Sequence, residues 1–218
     1  MTPSRPPQRL HEPSNGPASA TPEGLMVRLR RETRADHDRI EALPFSRAVA
    51  RGELPADAFA TYLDSLLALR TPLEAAAAMC DHPGVQRVWG TMAAHAGVLI
   101  ADLRTLRRGG VVSKLPPRIP LALRSDIEAT AHSGEAGLVG LLYVAAGSWH
   151  GVRLVERAVR RMGEVRVDEL RSFAVAGPAY ADSWRAFAQA VDGALPPSDH
   201  GLAVAAARRA FGHMTRAL

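Results

Sequence analysis

From residue 23 onward, apolar positions recur at spacings of three and four, the repeat that lines one face of an α-helix. The pattern predicts helices over roughly 23–42, 55–80, 84–108, 119–132, 135–162, 167–175, 178–194 and 199–217, separated by stops such as "HPG", "KLPPRIP" and "LPPSD". Alternating runs of the strand type are almost absent. Alanine-rich stretches, "LEAAAAM" and "GLAVAAARRAF", have high helix propensity and strengthen that reading. The expected fold is all-α, a single-domain multi-helix bundle with no internal repeat. Residues 1–22 are rich in Pro, Ser, Gly and Asn and lack the periodicity, so they are expected to form a disordered tail before a domain spanning 23–218.

Two predicted helices carry unusual faces. In the first, "GLMVRLRRETRADHDRIEAL", the residues Met26, Leu29, Thr33, His37 and Ile40 share one side, so His37 is expected to point inward. An inward histidine is either a hydrogen-bonded core residue or a ligand to something held in the interior. In the fifth, Gly137, Gly140, Gly147 and Gly151 fall within about 80° of one another on a helical wheel. Four glycines cost roughly 4 kcal/mol of helix propensity, so the strip calls for a reason. Close helix–helix packing is one reason, and a flat ligand lying against bare backbone is the other.

Composition narrows the setting. A chain of 218 residues with 47% hydrophobic and 22% charged residues is ordinary globular usage and long enough for one good core. The net charge of +5 is carried by arginine, since Lys114 is the only lysine, and arginine forks suit carboxylates and phosphates. These arginines are scattered, and no zinc-finger, basic-zipper or aromatic RNA-binding motif accompanies them, so no nucleic-acid partner is expected. No signal core or uninterrupted apolar run of about 18 residues is evident, so no membrane is expected. The lone Cys80 builds no internal disulfide and is expected to be buried in a helix end, which agrees with a cytoplasmic location. His95, His132, His200 and His213 lack paired metal spacing, and Trp89, Trp184, Phe187 and Phe211 sit in apolar helical contexts, so all eight are expected to be structural.

Taken together, these stretches resemble the haem oxygenase family, particularly its bacterial members, over roughly residues 23–217. "TRADHDRIE" is similar to the family's T-x-x-x-H segment, whose histidine is the proximal iron ligand, and this maps onto His37. "LLYVAAGSWHG" looks like the bacterial distal-helix pattern Y-V-x-E-G-S-x-x-G-G, and "FAVAGPAYADSWRAFAQAV" resembles the penultimate helix. The resemblance implies that haem serves as cofactor and substrate, with its iron on His37. Arg30, about 10 Å from His37 along the helix axis, and Arg185 would pair with the propionates. Gly147 and Gly151 would form the catalytic wall on the opposite face, where Ser148 would hold a proton-delivering water. Ser148 is equally readable as a helix residue bonded to a preceding carbonyl.

The implied products are biliverdin, carbon monoxide and ferrous iron. Electrons would come from a separate ferredoxin or flavoprotein reductase, because the chain has no dinucleotide fingerprint or iron–sulfur cysteine spacing. Two departures from the family pattern stand out: Ala146 replaces the acid before the distal glycine, and Val152 replaces the last glycine. Trp149 and His150 are also unusual for the pattern. Trp149 is expected to project away from the strip, and a kink would swing His150 inward as a sixth iron ligand. The alternatives are a non-catalytic haem-binding or sensing protein on the same fold, a thiaminase-like hydrolase, which the setting of Cys80 disfavours, and a helical interaction module.

Overall fold

The computed structural model describes residues 23–218 apart from 93, 94 and 176–179, and every regular element among the described residues is helical. The expected tail, 1–22, and the start of the helix expected over 178–194 lie outside the described residues. The helices are α1 (Leu25–Glu32), α2 (Arg34–Glu41), α3 (Pro44–Arg51), α4 (Ala56–Met79), α5 (Pro83–Gly90) and α6 (Ala96–Arg108). They continue with α7 (Arg118–His132), α8 (Glu135–Gly147), α9 (Val152–Met162), α10 (Arg171–Val175), α11 (Tyr180–Asp192) and α12 (His200–Ala217). The all-α expectation holds, and the differences lie in where the helices are interrupted.

Each interruption has a local cause. The first predicted helix breaks at Thr33, whose hydroxyl shares the Leu29 carbonyl with its own backbone N–H, at 2.7 and 2.9 Å, and closes the end of α1. The unpredicted α3 begins with Pro44 and ends at Gly52, whose φ of 73° is the left-handed C-terminal stop. Between α5 and α6 the chain turns, and Glu74 of α4 accepts the backbone N–H groups of His95 and Ala96 at 2.8 and 3.2 Å, capping α6 from a distance. The segment predicted over 167–175 is a 3₁₀ turn, Val167–Glu169, followed by α10, whose first N–H groups donate to the fully buried carboxylate of Asp102. Cys80 follows α4 and is only partly buried, because the helix has already ended there.

At the centre lies α8, in which every residue from Ala136 to Ala146 is buried. A helix apolar on all sides belongs inside a bundle. It rests on α12, whose buried Ala203, Ala206, Ala207 and Ala210 present a thin surface, and it is flanked by α4 and α7. The stretch Glu135–Met162 is long and apolar enough by composition to cross a membrane, but it breaks at Ser148–Gly151, and α8 is spent on the core.

Two carboxylates orient the opening helices. Asp192, at the end of α11, accepts the Met26 N–H at 2.7 Å and caps α1. Asp36, buried on α2, takes Arg39 at 2.6 Å and Arg208 of α12 at 3.1 Å. Together they hold α1 against α11 and α2 against α12.

Candidate functional site

The break at Thr33 decides where His37 points. On one continuous helix it would have shared the buried face of Met26 and Leu29, and the expectation was that it would point inward. Instead Asp36 takes the buried position on α2, and the His37 side chain is 59% exposed. A buried carboxylate held by two arginines is hard to displace, so the ring is turned to the open side. There its Nδ1 lies 3.4 Å from Glu41 Oε1, and Phe211 of α12 meets it edge-on at a centroid distance of 6.2 Å. Phe211 therefore touches the candidate ligand while remaining a buried α12 side chain.

The other wall is the end of α8. A Cβ built on Gly147 or Gly151 meets nothing within 4 Å, whereas one on Gly140 would lie 1.9 Å from the Ala203 carbonyl oxygen. The strip seen in the sequence is thus divided between packing and open space. Ser148 Oγ donates to the Ala145 carbonyl at 2.7 Å, the back-bonded arrangement. The same carbonyl accepts Arg70 Nη2 at 2.7 Å, and the Ser148 carbonyl accepts the Tyr62 hydroxyl at 3.3 Å. Burial pushes the Tyr62 phenol up to about 12, so it remains a donor. Carbonyls at the end of α8 are therefore held by α4 side chains, and the chain can leave the helix there without stranding them.

Between the two open glycines the side chains diverge. Trp149 points away from them, as expected, and is buried against His95 at 4.3 Å and under the Arg70 guanidinium at 5.4 Å. Arg70 is itself 1% exposed and lies 3.5 Å from Glu74. Burial, with the Arg70 charge adding to it, lowers His95 to about 3 and keeps it neutral. His150 goes the other way and is exposed, with its ring edge-on to Trp184 of α11 at 4.2 Å. Arg30 of α1 lies over the same indole at 5.8 Å, and Phe187 stacks on it at 5.3 Å. The His150 imidazole, exposed but partly desolvated where it packs on the indole, titrates below its ordinary range, with the charges of Arg30 and His37 adding to the effect.

Trp184 is therefore the hub joining the opening helices to the α8–α9 break, and it is not the plain core residue expected. Its position immediately before Arg185 was the available signal. Arg185 is exposed and pairs with Asp182 of its own helix at 2.8 Å. Arg70 and Tyr62 were also missed. Arg70 was legible, because it follows Leu63 and Leu66 and precedes Leu73 and Ala77 at spacings of three and four on an apolar face. The structure brings Arg30 and His150 onto the same Trp184 indole, with bare backbone at Gly147 and Gly151 next to His150 in the chain.

The fold is similar to that of solved structures named as heme oxygenases. The chain superposes on heme oxygenase-1 from the cyanobacterium Synechocystis, solved in complex with heme, with a TM-score of 0.75 and 16% identity over 89% of this chain and 90% of that one. Heme oxygenase from Leptospira interrogans gives a TM-score of 0.75 and 16% identity over 89% and 98%. Heme oxygenase 2 from Chlamydomonas reinhardtii, solved without heme, gives 0.72 and 20% over 89% and 95%. No curated protein matches the chain in sequence. The sequence model of the Heme oxygenase family matches residues 23–218. A match over that length, on an all-α fold that presents a histidine and a glycine-bearing helix break, makes this chain a member of the heme oxygenase family.

Proposed function

We propose that this protein binds haem between His37 and the α8–α9 break and cleaves it oxidatively to biliverdin, carbon monoxide and ferrous iron, drawing electrons from a separate ferredoxin or flavoprotein reductase. The observation that carries the reading is the open backbone at Gly147 and Gly151, in the same short segment whose His150 meets Trp184, the indole that Arg30 of α1 also covers. Bound haem supplies the iron at which oxygen is activated. The residues present fit it: a solvent-facing imidazole, side-chain-free backbone, and two exposed arginines.

Each residue then has a task. Glu41 lies 3.4 Å from His37 Nδ1, so the other ring nitrogen, Nε2, is the one that would hold the iron. Gly147 and Gly151 let the ring and its ligand approach the backbone, where a larger side chain would stand in the way. The Ser148 hydroxyl hydrogen is committed to Ala145, so its oxygen is available to accept from a water carrying the reaction's protons. Arg30 and Arg185 pair with the propionates, the latter exchanging Asp182 for substrate. A single cysteine, without internal disulfides, fits a cytoplasmic setting.

Ala146, where the family pattern has an acid, favours a second reading in which the protein only binds or senses haem. One experiment separates the two. Hemin is added to the wild type and to His37→Ala, visible spectra are recorded, and a reductant is supplied in air. The enzyme takes up haem through His37, then loses the Soret band and yields a green pigment, whereas a binder keeps its Soret band. No uptake by the wild type, or uptake indifferent to His37→Ala, overturns the proposal.

A further inference from the structure

We infer that His150 is a second axial ligand, coordinating ferric haem iron on the face opposite His37. The inference rests on the proposal that haem binds at this site, and it concerns a residue that the family pattern does not supply. On a continuous α8, residue 150 would project about 100° away from the glycine strip. The break changes this. The chain leaves helix at Ser148–Gly151, the His150 N–H turns back to the Gly147 carbonyl at 3.0 Å, and the imidazole crosses to the Trp184 edge at 4.2 Å.

Several independent features agree on that direction. Trp184 also carries Arg30, so the indole draws His150 toward the helices that hold His37 and away from the Trp149–Arg70 side. The residues flanking His150 on the open wall are Gly147 and Gly151, whose missing side chains leave room for a ligand beside the imidazole. The ring lies at the surface, outside the packed core. Two imidazoles on one haem iron leave no open position, so oxygen would enter only when His150 returns to the indole.

The ferric haem complex of the full-length protein tests this by its visible and paramagnetic resonance spectra, recorded for the wild type, His150→Leu and His150→Asn. The wild type is expected to be low-spin with two nitrogen ligands, and both variants to keep haem but become high-spin with water on the distal side. If about nine-tenths of the wild-type haem carries His150, azide will bind the variants about tenfold more tightly, because the competent fraction rises from one-tenth to nearly all. A high-spin wild type, or a low-spin spectrum and azide affinity unchanged in both variants, overturns the inference while leaving haem binding intact. The wild-type resonance spectrum is decisive alone if the variants do not fold. Failure of the wild type to take up haem overturns both this inference and the proposed function.

Discussion

Two halves of one glycine strip behave differently. Gly137 and Gly140 share the helical phase of Gly147 and Gly151, yet a Cβ on Gly137 would lie 2.3 Å from Thr130 Cγ2 and one on Gly140 would run into the backbone of α12. The second pair faces open space. Helix packing and ligand access are therefore not rival explanations of the strip, since each accounts for one half. The first half lets α8 lie close against α7 at Gly137 and against α12 at Gly140. The second leaves a bare surface where the helix ends, beside the histidines. What distinguishes them is the neighbour: Thr130 of α7 and Ala203 of α12 stand opposite the first pair, and the helix breaks at the second.

The sharpest way to break this comparison is Gly140→Ala. Its methyl group would meet a carbonyl oxygen 1.9 Å away, and backbone cannot rotate aside as a side chain can. Relief requires α8 and α12 to separate, at a cost of about 2–3 kcal/mol. The melting temperature should fall by roughly 5–10 °C. An unchanged melting temperature would show that the helices are not in contact there. Any loss of haem uptake should track the unfolded fraction.

The open half predicts the reverse pattern. Gly151→Leu places a large side chain in space, at a position whose φ of −78° any residue adopts, so stability should change by no more than about 0.5 kcal/mol. Haem cleavage should nevertheless fall on the order of 100-fold, because a displaced substrate loses its reactive geometry. Thermal melts and turnover measured on the same preparation check both parts. Full activity would mean that this wall does not face the substrate.

The sequence made the helices visible but not their interruptions, and the site depends on the interruptions. Periodicity found the face shared by Met26, Leu29 and Thr33, then carried it one turn too far, to His37. The Thr33 hydroxyl can bond its own helix or the solvent, and only tertiary structure chooses. Asp36 could not be recognised as buried, because its second partner, Arg208, lies 172 residues away. The short motifs around Arg30, His37 and the glycines, in the expected order, made the family legible, and the family match over residues 23–218 agrees. The role of Trp184 was not, since an indole in an apolar helix reads as core whether its other face meets leucine or, as here, Arg30 and His150.

The smallest expected effect gives the cleanest sign. Gly147→Ala is the same chemical change as Gly140→Ala, made seven residues later on the same helix. Here the added methyl meets nothing within 4 Å, and the residue still has helical backbone. Alanine restricts the unfolded chain and is favoured in helix, so the fold should gain up to about 0.5–1 kcal/mol. That corresponds to a rise of roughly 1–4 °C in melting temperature, with haem still taken up through His37. Opposite signs from one substitution at two positions of the same phase would follow from the division of the strip. A fall at residue 147 as well would mean that the whole strip is packed, and the bare wall beside His150 would not exist.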